Sequence, residues 1–175
     1  MIIKYRIISG EDENFVRDIE IFSDTTFEDL HLAIQSSCDY DSSLLTTFYL
    51  SNKSWDKLDE IVQELIDAES QEDVRLMRET KLDYFQPTVG QRYIYIFDFF
   101  SVRAFFIEIV NIREKTKDDE NLEFPICTLC HGKPPQQVFI DDINEDELKN
   151  SDNFDIFEDD ELDDLGFENI DDYDF

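Results

Sequence analysis

The positions of the apolar residues predict short strands and one amphipathic helix in the first part of the chain. Ile3, Tyr5 and Ile7 alternate with polar residues, which is the period of a half-buried strand. After a polar turn, Phe15, Ile19 and Ile21 again share one parity, so the two stretches predict an antiparallel hairpin. Apolar residues then recur at helical spacing over 27–38, which predicts a helix with a single apolar face.

The middle of the chain gives a mixed signal. Residues 44–50 predict a strand, whereas 55–83 fit either a helix, by the spacing of their apolar residues, or a short strand near 60–62. The strongest strand signals are 92–99 and 102–112, and the connection between them is short enough for a hairpin. Because the first of these two is apolar on both parities, we expect it to be central and covered on both faces.

The composition changes abruptly at Asp141. Residues 141–175 contain 17 acidic residues and one basic residue, a net charge of −16, whereas residues 1–140 carry −13. Self-repulsion at this density opposes compaction, and the apolar residues of the segment stand mostly singly among acids. We therefore expect an α+β domain over 1–140 and a flexible, acidic C-terminal tail over 141–175.

The net charge of −29 restricts the classes of partner. Nucleic-acid affinity comes largely from Lys and Arg contacts with phosphates, so direct nucleic-acid binding is disfavoured, as is docking on an anionic membrane. A basic protein partner is favoured, with aromatic residues of the tail supplying the anchoring area. Simple solubilisation and mimicry of DNA phosphates stay open as alternatives. The candidate partner-binding residues are Phe154, Phe157, Phe167, Tyr173 and Phe175.

The chain shows no motif for catalysis or for a bound nucleotide. Its four glycines are too scattered for a phosphate-binding loop, and it has no G-x-S-x-G nucleophile turn. The apolar N-terminal stretch is interrupted by Lys4 and Arg6 and predicts a strand instead of a signal peptide. No apolar segment is long enough to span a membrane. We expect a cytoplasmic protein without a catalytic centre or a cofactor.

Two places in the sequence contain residues of the types that bind metals or take part in catalysis. Cys127, Cys130 and His131 form a C-x-x-C-H sequence, the spacing of haem attachment, and could also supply three zinc ligands. Haem attachment requires an exported chain and structural zinc normally takes four ligands, so we expect no metal there. His31 lies on the apolar face of the predicted helix, where we expect a structural residue that hydrogen-bonds a neighbouring backbone group.

Three segments within about the first 137 residues resemble the plasmid Ri ORF-3-like family, passenger proteins of an insertion element. The first is the Leu-His pair of the predicted helix, the second is the strand segment YIYIFDFF, and the third is PICTLCHGKPPQQ. The positions that carry the resemblance are Leu30, His31, Tyr95, Asp98, Phe99, Pro125, Cys127, Gly132, Pro134 and Pro135.

The resemblance implies a mixed, largely antiparallel sheet with packed helices, and it brings no established activity. Where the family has Gly-Asp and then Trp and His, this chain has Phe100, Ser101, Arg103 and Phe105. Where the family has His-Leu before the third strand, this chain has Leu44-Leu45. Positions that could form a polar site are therefore mostly apolar. We expect a non-enzymatic interaction or accessory module linked to mobile elements. The alternatives are a degenerate hydrolase- or nuclease-like accessory enzyme and a small Cys/His metal-binding protein.

Overall fold

The computed structural model describes residues 1–65 and 74–138, which form an eight-stranded sheet with one α-helix on one face. The predicted tail over 141–175 lies outside the described residues. None of the described helices is long and apolar enough to cross a membrane. The elements are β1 (Ile2–Ser9), β2 (Val16–Phe22), α1 (Phe27–Cys38), β3 (Thr47–Ser51), β4 (Lys57–Val62), β5 (Arg75–Leu76), β6 (Arg92–Asp98), β7 (Arg103–Arg113), a 3-10 helix (Lys117–Asn121) and β8 (Ile126–His131).

The sheet is mixed and largely antiparallel, as predicted. Its order is β5-β4-β3-β6-β7-β1-β2-β8, and every neighbouring pair is antiparallel except β4 and β5. The two predicted hairpins are confirmed, because β1 pairs with β2 and β6 pairs with β7. The sheet centre is therefore built from the four strands with the strongest apolar patterns.

The helix α1 begins and ends at residues suited to those positions. Thr26 and Asp29 form a capping box, in which the Asp29 amide donates to Thr26 Oγ1 and the Thr26 amide donates to Asp29 Oδ2. The helix ends at Asp39, whose left-handed backbone lets its amide donate to the last turn. Leu30 and Ile34 are fully buried with Tyr93, Tyr95 and Phe97, the side chains of β6 that share their face of the sheet. We call this the inner face.

The opposite, outer face of the sheet is apolar at its centre. Ile94 and Ile96 of β6 point to it and are fully buried, as is Tyr95 on the inner face. The central strand is therefore covered on both sides, which confirms the sequence prediction.

The prediction of packed helices is wrong for the described residues, which contain a single α-helix. Between 55 and 65 the helical spacing is overridden by pairing, because β4 adds to β3 with Phe48 opposite Ile61. Only Ile61 of β4 is fully buried, so tertiary pairing and not a strong alternating pattern makes this segment a strand.

The strand β8 is not predicted by the apolar pattern. It pairs with β2 at one edge of the sheet, and its side chains are exposed or half-buried throughout. An edge strand with one solvated face and a proline just before its first residue leaves little periodic signal. The strand β3 also begins at Thr47, three residues later than the pattern indicates.

Candidate functional site

The three segments that carry the family resemblance meet on the inner face of the sheet. His31 of α1 lies against Tyr95 of β6, with 2.7 Å between His31 Nδ1 and Tyr95 Oη. Gln35, one helical turn further on, donates from Nε2 to the same hydroxyl at 2.6 Å. Thr46 Oγ1 lies 3.2 Å from His31 Nδ1. These four buried residues form what we call the Tyr95 network.

The hydrogen bonds of the Tyr95 network join one hydroxyl to two side chains of α1. The amide nitrogen of Gln35 can only donate, so Tyr95 Oη accepts that bond. In the bond between Tyr95 Oη and His31 Nδ1, the tautomer of the imidazole sets which atom donates. The close partner of the ring is a side-chain hydroxyl, where the sequence predicted a backbone group.

Burial keeps both rings of the network uncharged. Burial lowers the pKa of His31, and an interaction with the Ser42 backbone opposes this only in part. Burial also raises the pKa of Tyr95 far above its ordinary value. At neutral pH the pair is therefore a neutral imidazole and a neutral phenol, shielded from solvent.

The network extends to the surface through Gln137. Gln137 Nε2 lies 3.3 Å from Gln35 Oε1 and donates to the Asp41 carbonyl at 2.9 Å. Nearby, Tyr40 Oη donates to the Pro135 carbonyl. These bonds hold the segment 134–137 beside the C-terminal end of α1. Between the two lies an open groove of about 540 Å³, the α1 groove, lined by residues 36–40 and 134–137.

The α1 groove offers hydrogen-bonding groups that are not activated for nucleophilic attack. Burial raises the pKa of the Cys38 thiol to about 11, and it raises the pKa of Tyr40 further above the ordinary tyrosine range. Both groups are protonated at neutral pH, and the thiolate is the reactive form of cysteine. The groove walls therefore suit the binding of polar neutral groups better than covalent chemistry.

The side chains at the positions that depart from the family pattern pack in the core, form an ion pair or lie in a turn. Phe105 is fully buried and stacks on Phe15, with 4.9 Å between the ring centres. Arg103 Nε and Nη2 bind the two carboxylate oxygens of Glu11 at 2.8 and 2.7 Å. Phe100 lies exposed in the turn between β6 and β7. These three residues thus belong to the core, to an ion pair and to a turn.

The C-x-x-C-H residues lie on the edge strand β8. A register shift in its pairing with β2 places Cys127 opposite Ile19 and Cys130 opposite Arg17, and both cysteines are exposed. The Cys127 thiol lies 3.1 Å from the Leu129 carbonyl. Partial burial of the sulfur and the neighbouring Cys130 raise the pKa of Cys127 to about 11. Residues 1–65 and 74–138 contain no group of three or more His, Cys, Asp or Glu side chains that could hold a metal ion.

The remaining candidate residues lie in the tail, and the residues that the sequence analysis missed lie around His31. Phe154, Phe157, Phe167, Tyr173 and Phe175, the candidate partner-binding residues, lie outside the described residues. Sequence reasoning singled out His31 but missed Gln35, Thr46 and Gln137 as its neighbours. A signal existed for Gln35, which stands four residues after His31 and so lies beside it on the helix.

Comparisons with known proteins identify a similar structure and a family. The structure is similar to that of a protein of unknown function from Methanosarcina mazei Go1, with a TM-score of 0.59 and 24% identity over 73% of this chain and 67% of that chain. At this identity the likeness shows the fold alone. No curated protein matches the chain. Residues 4–141 match the model of the plasmid pRiA4b ORF-3-like proteins, a range that includes all three resembling segments. The chain therefore belongs to the plasmid pRiA4b ORF-3-like family.

Proposed function

We propose that this protein is a non-enzymatic interaction module whose acidic tail docks on a basic protein partner. The observation that carries the first half of the proposal is the Tyr95 network. There the family segments meet, and His31 Nδ1, Gln35 Nε2 and Tyr95 Oη are hydrogen-bonded to one another. Bonds of this kind between buried side chains support a role in stabilising the fold.

The state of the titratable groups supports the same reading. General acid–base catalysis needs a group that reaches the substrate and whose pKa lies near the working pH. His31 is buried and its pKa is lowered, while the pKa values of Tyr95 and Cys38 are raised by burial. Each of these groups is thus held neutral, which favours a structural role over a hydrolase- or nuclease-like one.

The charge distribution supports the second half of the proposal. The tail carries −16 over 35 residues and the preceding residues carry −13, so the whole chain repels phosphates and attracts a basic surface. Charge of this kind steers the encounter, and aromatic side chains then supply the buried contact area. The candidate anchors are the five tail aromatics named above. The link to mobile elements rests on the family resemblance alone.

A capture experiment with a charge-neutralised tail tests this function. The full chain is immobilised beside a variant in which every Asp and Glu of 141–175 is changed to Asn and Gln, and bound proteins are identified by mass spectrometry. We expect basic proteins that elute as salt is raised, and their loss from the neutralised variant.

The control neutralises three exposed acids of the domain, Asp118, Glu120 and Glu123, as D118N/E120Q/E123Q. This control should retain the same partners. Recovery of the same proteins by the neutralised tail, or recovery of none by the full chain, would contradict the proposal.

A further inference from the structure

The two cysteines of the C-x-x-C-H sequence lie on the same face of the sheet. On a regular strand, residues three positions apart would point to opposite faces. In β8 the register shift leaves Thr128 as an extra residue between the two cysteines. Cys127 is consequently opposite Ile19, a residue of the inner core. Cys130 is opposite Arg17, which shares a face with Ile19 because the two are two positions apart. Both thiols therefore lie on the inner face.

The separation of the two cysteines suits a disulfide. Their partners on β2 are two positions apart, so the Cα atoms of Cys127 and Cys130 lie about 6.5 Å from each other. Cysteines joined by a disulfide usually have Cα atoms about 4.4–6.8 Å apart. Both residues are exposed, so a small external reagent can reach them.

The two thiols interact with each other and not with a third ligand. The pKa of Cys127 is raised to about 11 by burial, by the charge of Cys130 and by a hydrogen bond between the two side chains. Cys38 is buried at the end of α1, with its sulfur 3.7 Å from Ser37 Oγ. Within 1–65 and 74–138, no three His, Cys, Asp or Glu side chains are placed to hold a metal ion. The geometry therefore favours a bond between the two sulfurs over metal binding.

A buried positive charge lies beside the pair. Arg17 is 3% exposed, and its guanidinium donates to four backbone carbonyls at 2.5 to 3.2 Å, one in β2, one in α1, one at the end of β8 and one just after it. These acceptors are neutral, so they fix the guanidinium in place without cancelling its charge. Burial is the main cause that raises the pKa of Cys127, and the charge of Arg17 opposes it. A fixed cation of this kind favours the thiolate, the reactive form of cysteine.

We propose that Cys127 and Cys130 form a redox-active dithiol, which a small external disulfide oxidises to an intrachain disulfide and which external thiols reduce again. The Cys130 thiolate attacks one sulfur of the external disulfide, and the first external thiolate leaves and takes up the proton that Cys130 lost. A mixed disulfide then joins Cys130 to the other half of the reagent. The Cys127 thiol gives up its proton and attacks the Cys130 sulfur, which releases the second external thiol. The pair loses two electrons and two protons, and the external disulfide gains both.

The order of the two attacks follows from the surroundings of each thiol. Cys130 lies opposite Arg17, so it attacks first. The Cys127 thiol donates to the Leu129 carbonyl at 3.1 Å and has a raised pKa, which makes it the poorer first nucleophile. Once Cys130 is held in the mixed disulfide, its thiol no longer raises the pKa of Cys127, and the second attack becomes easier.

This inference is independent of the proposed function. The exchange consumes one external disulfide per chain and is not catalysis, so it agrees with a non-enzymatic module. It uses residues of β2 and β8 and none of the tail. Failure of the dithiol proposal would therefore leave the tail proposal unchanged, and the reverse also holds.

Equilibration with reduced and oxidised glutathione tests the pair. The full chain is treated under native conditions and, in parallel, in denaturant, after which free thiols are blocked and disulfides are located by peptide mass spectrometry. We expect a disulfide between Cys127 and Cys130 that is favoured in the native chain by at least about tenfold over the denatured chain, because the fold holds the two thiols together. This ratio separates a pair built by the fold from a C-x-x-C sequence in a flexible chain.

Serine variants test the order of attack. C127S should accumulate a mixed disulfide with glutathione at Cys130, whereas C130S should accumulate little at Cys127. C38S is the control and should form the intrachain disulfide as the unchanged chain does. Equal accumulation in C127S and C130S would overturn the assigned order.

The unchanged chain carries the main test by itself, so the proposal stays falsifiable even if a variant fails to fold. An intrachain disulfide no more favoured in the native chain than in denaturant would overturn it. Mixed disulfides with glutathione only, or disulfides that join Cys38 to either of the two cysteines, would overturn it as well.

Discussion

Tyr95 is the residue on which the buried polar contacts of the inner face depend. Its hydroxyl accepts from Gln35 and is hydrogen-bonded to His31 Nδ1, so one oxygen bonds groups from two turns of α1. Buried polar groups left without a partner are costly, because water cannot replace the lost hydrogen bond. The network therefore fixes the position of α1 against β6 more specifically than apolar packing alone.

The first prediction compares two buried tyrosines. Tyr95→Phe removes both hydrogen bonds and should lower the free energy of unfolding by about 1–3 kcal/mol. Tyr5→Phe is the control, because Tyr5 Oη is fully buried with no hydrogen-bond partner among the described residues. This control should be neutral or slightly stabilising. Chemical denaturation measures the free energy of unfolding of both variants. Equal losses of stability would mean that the network contributes nothing specific.

The second prediction concerns pH. The folded state lowers the pKa of His31 below its ordinary value of 6.5, so the unfolded chain takes up this proton first as pH falls. The contribution of the neutral, buried imidazole to stability is fully present above the unfolded pKa and declines as pH falls below about 6.5. The pKa of Glu20 is lowered from 4.5, so that group titrates at lower pH.

Substitution of each histidine isolates this effect. His31→Gln should remove the decline in stability that begins as pH falls below about 6.5, whereas His131→Gln, which removes an exposed histidine, should retain it. Denaturant melts across the pH range measure both. A decline of the same size in His31→Gln would show that another group is responsible.

At the scale of elements, local periodicity predicted the strands of the sheet centre and the one helix. The strands β1, β2, β6 and β7 have buried faces along most of their length, so their apolar residues repeat clearly. The strands β4 and β8 lie towards the edges of the sheet, and their half-exposed side chains give no such repeat. Pairing with a neighbouring strand determines them instead: β4 pairs with β3, the strand just before it in the chain, and β8 pairs with the distant β2.

The candidate site could likewise be predicted only in part from the sequence. His31 is visible in the sequence as a polar residue on an apolar helical face, but its partner Tyr95 lies on a strand that follows 64 positions later. Nothing in either local pattern indicates that the two will meet. The family segments marked the right parts of the chain, and only the packing of α1 on β6 showed that they converge.

The third prediction tests the face of α1. Leu30→Ala or Ile34→Ala should each lower the free energy of unfolding by about 2–5 kcal/mol, the range for truncating a buried aliphatic side chain. Leu32→Ala is the matched control on the same helix, because Leu32 is 48% exposed. We expect that control to change stability by less than about 0.5 kcal/mol. Equal effects in equilibrium denaturation would contradict the assigned face.

The fourth prediction concerns the docking of β8 on the hairpin of β1 and β2. Gly132, just after β8, has a φ of +69°, and a Cβ there would lie 2.2 Å from the Asn14 carbonyl oxygen. Gly132→Ala therefore adds a backbone clash to the cost of left-handed geometry and should destabilise by more than about 2 kcal/mol.

Gly90 supplies the control for this clash. It also has a positive φ, +87°, but a Cβ there meets nothing within 4 Å. Gly90→Ala should therefore cost only the conformational term, roughly 1 kcal/mol. Thermal melts of both variants measure the difference, and a Gly132→Ala chain as stable as Gly90→Ala would mean that β8 can move away from the hairpin freely.

At the scale of the whole molecule, the acidic charge is concentrated in the C-terminal segment. Among the described residues, basic side chains are paired with acids across strands, as in Arg6 with Asp18 and Arg92 with Glu108. The segment from Asp141 onward has one base for 17 acids and so cannot neutralise itself in this way. An external basic surface is where that charge gains favourable contacts.

The central claim is that the acidic tail binds a basic partner, and a salt titration of that binding tests it most directly. The partner recovered by capture is purified and titrated into the full chain and into the chain with a neutralised tail, at low and at high salt. We predict that the full chain binds more weakly as salt rises, and that the neutralised chain binds weakly at both concentrations. Equal affinity of the two chains, unchanged by salt, would contradict the account.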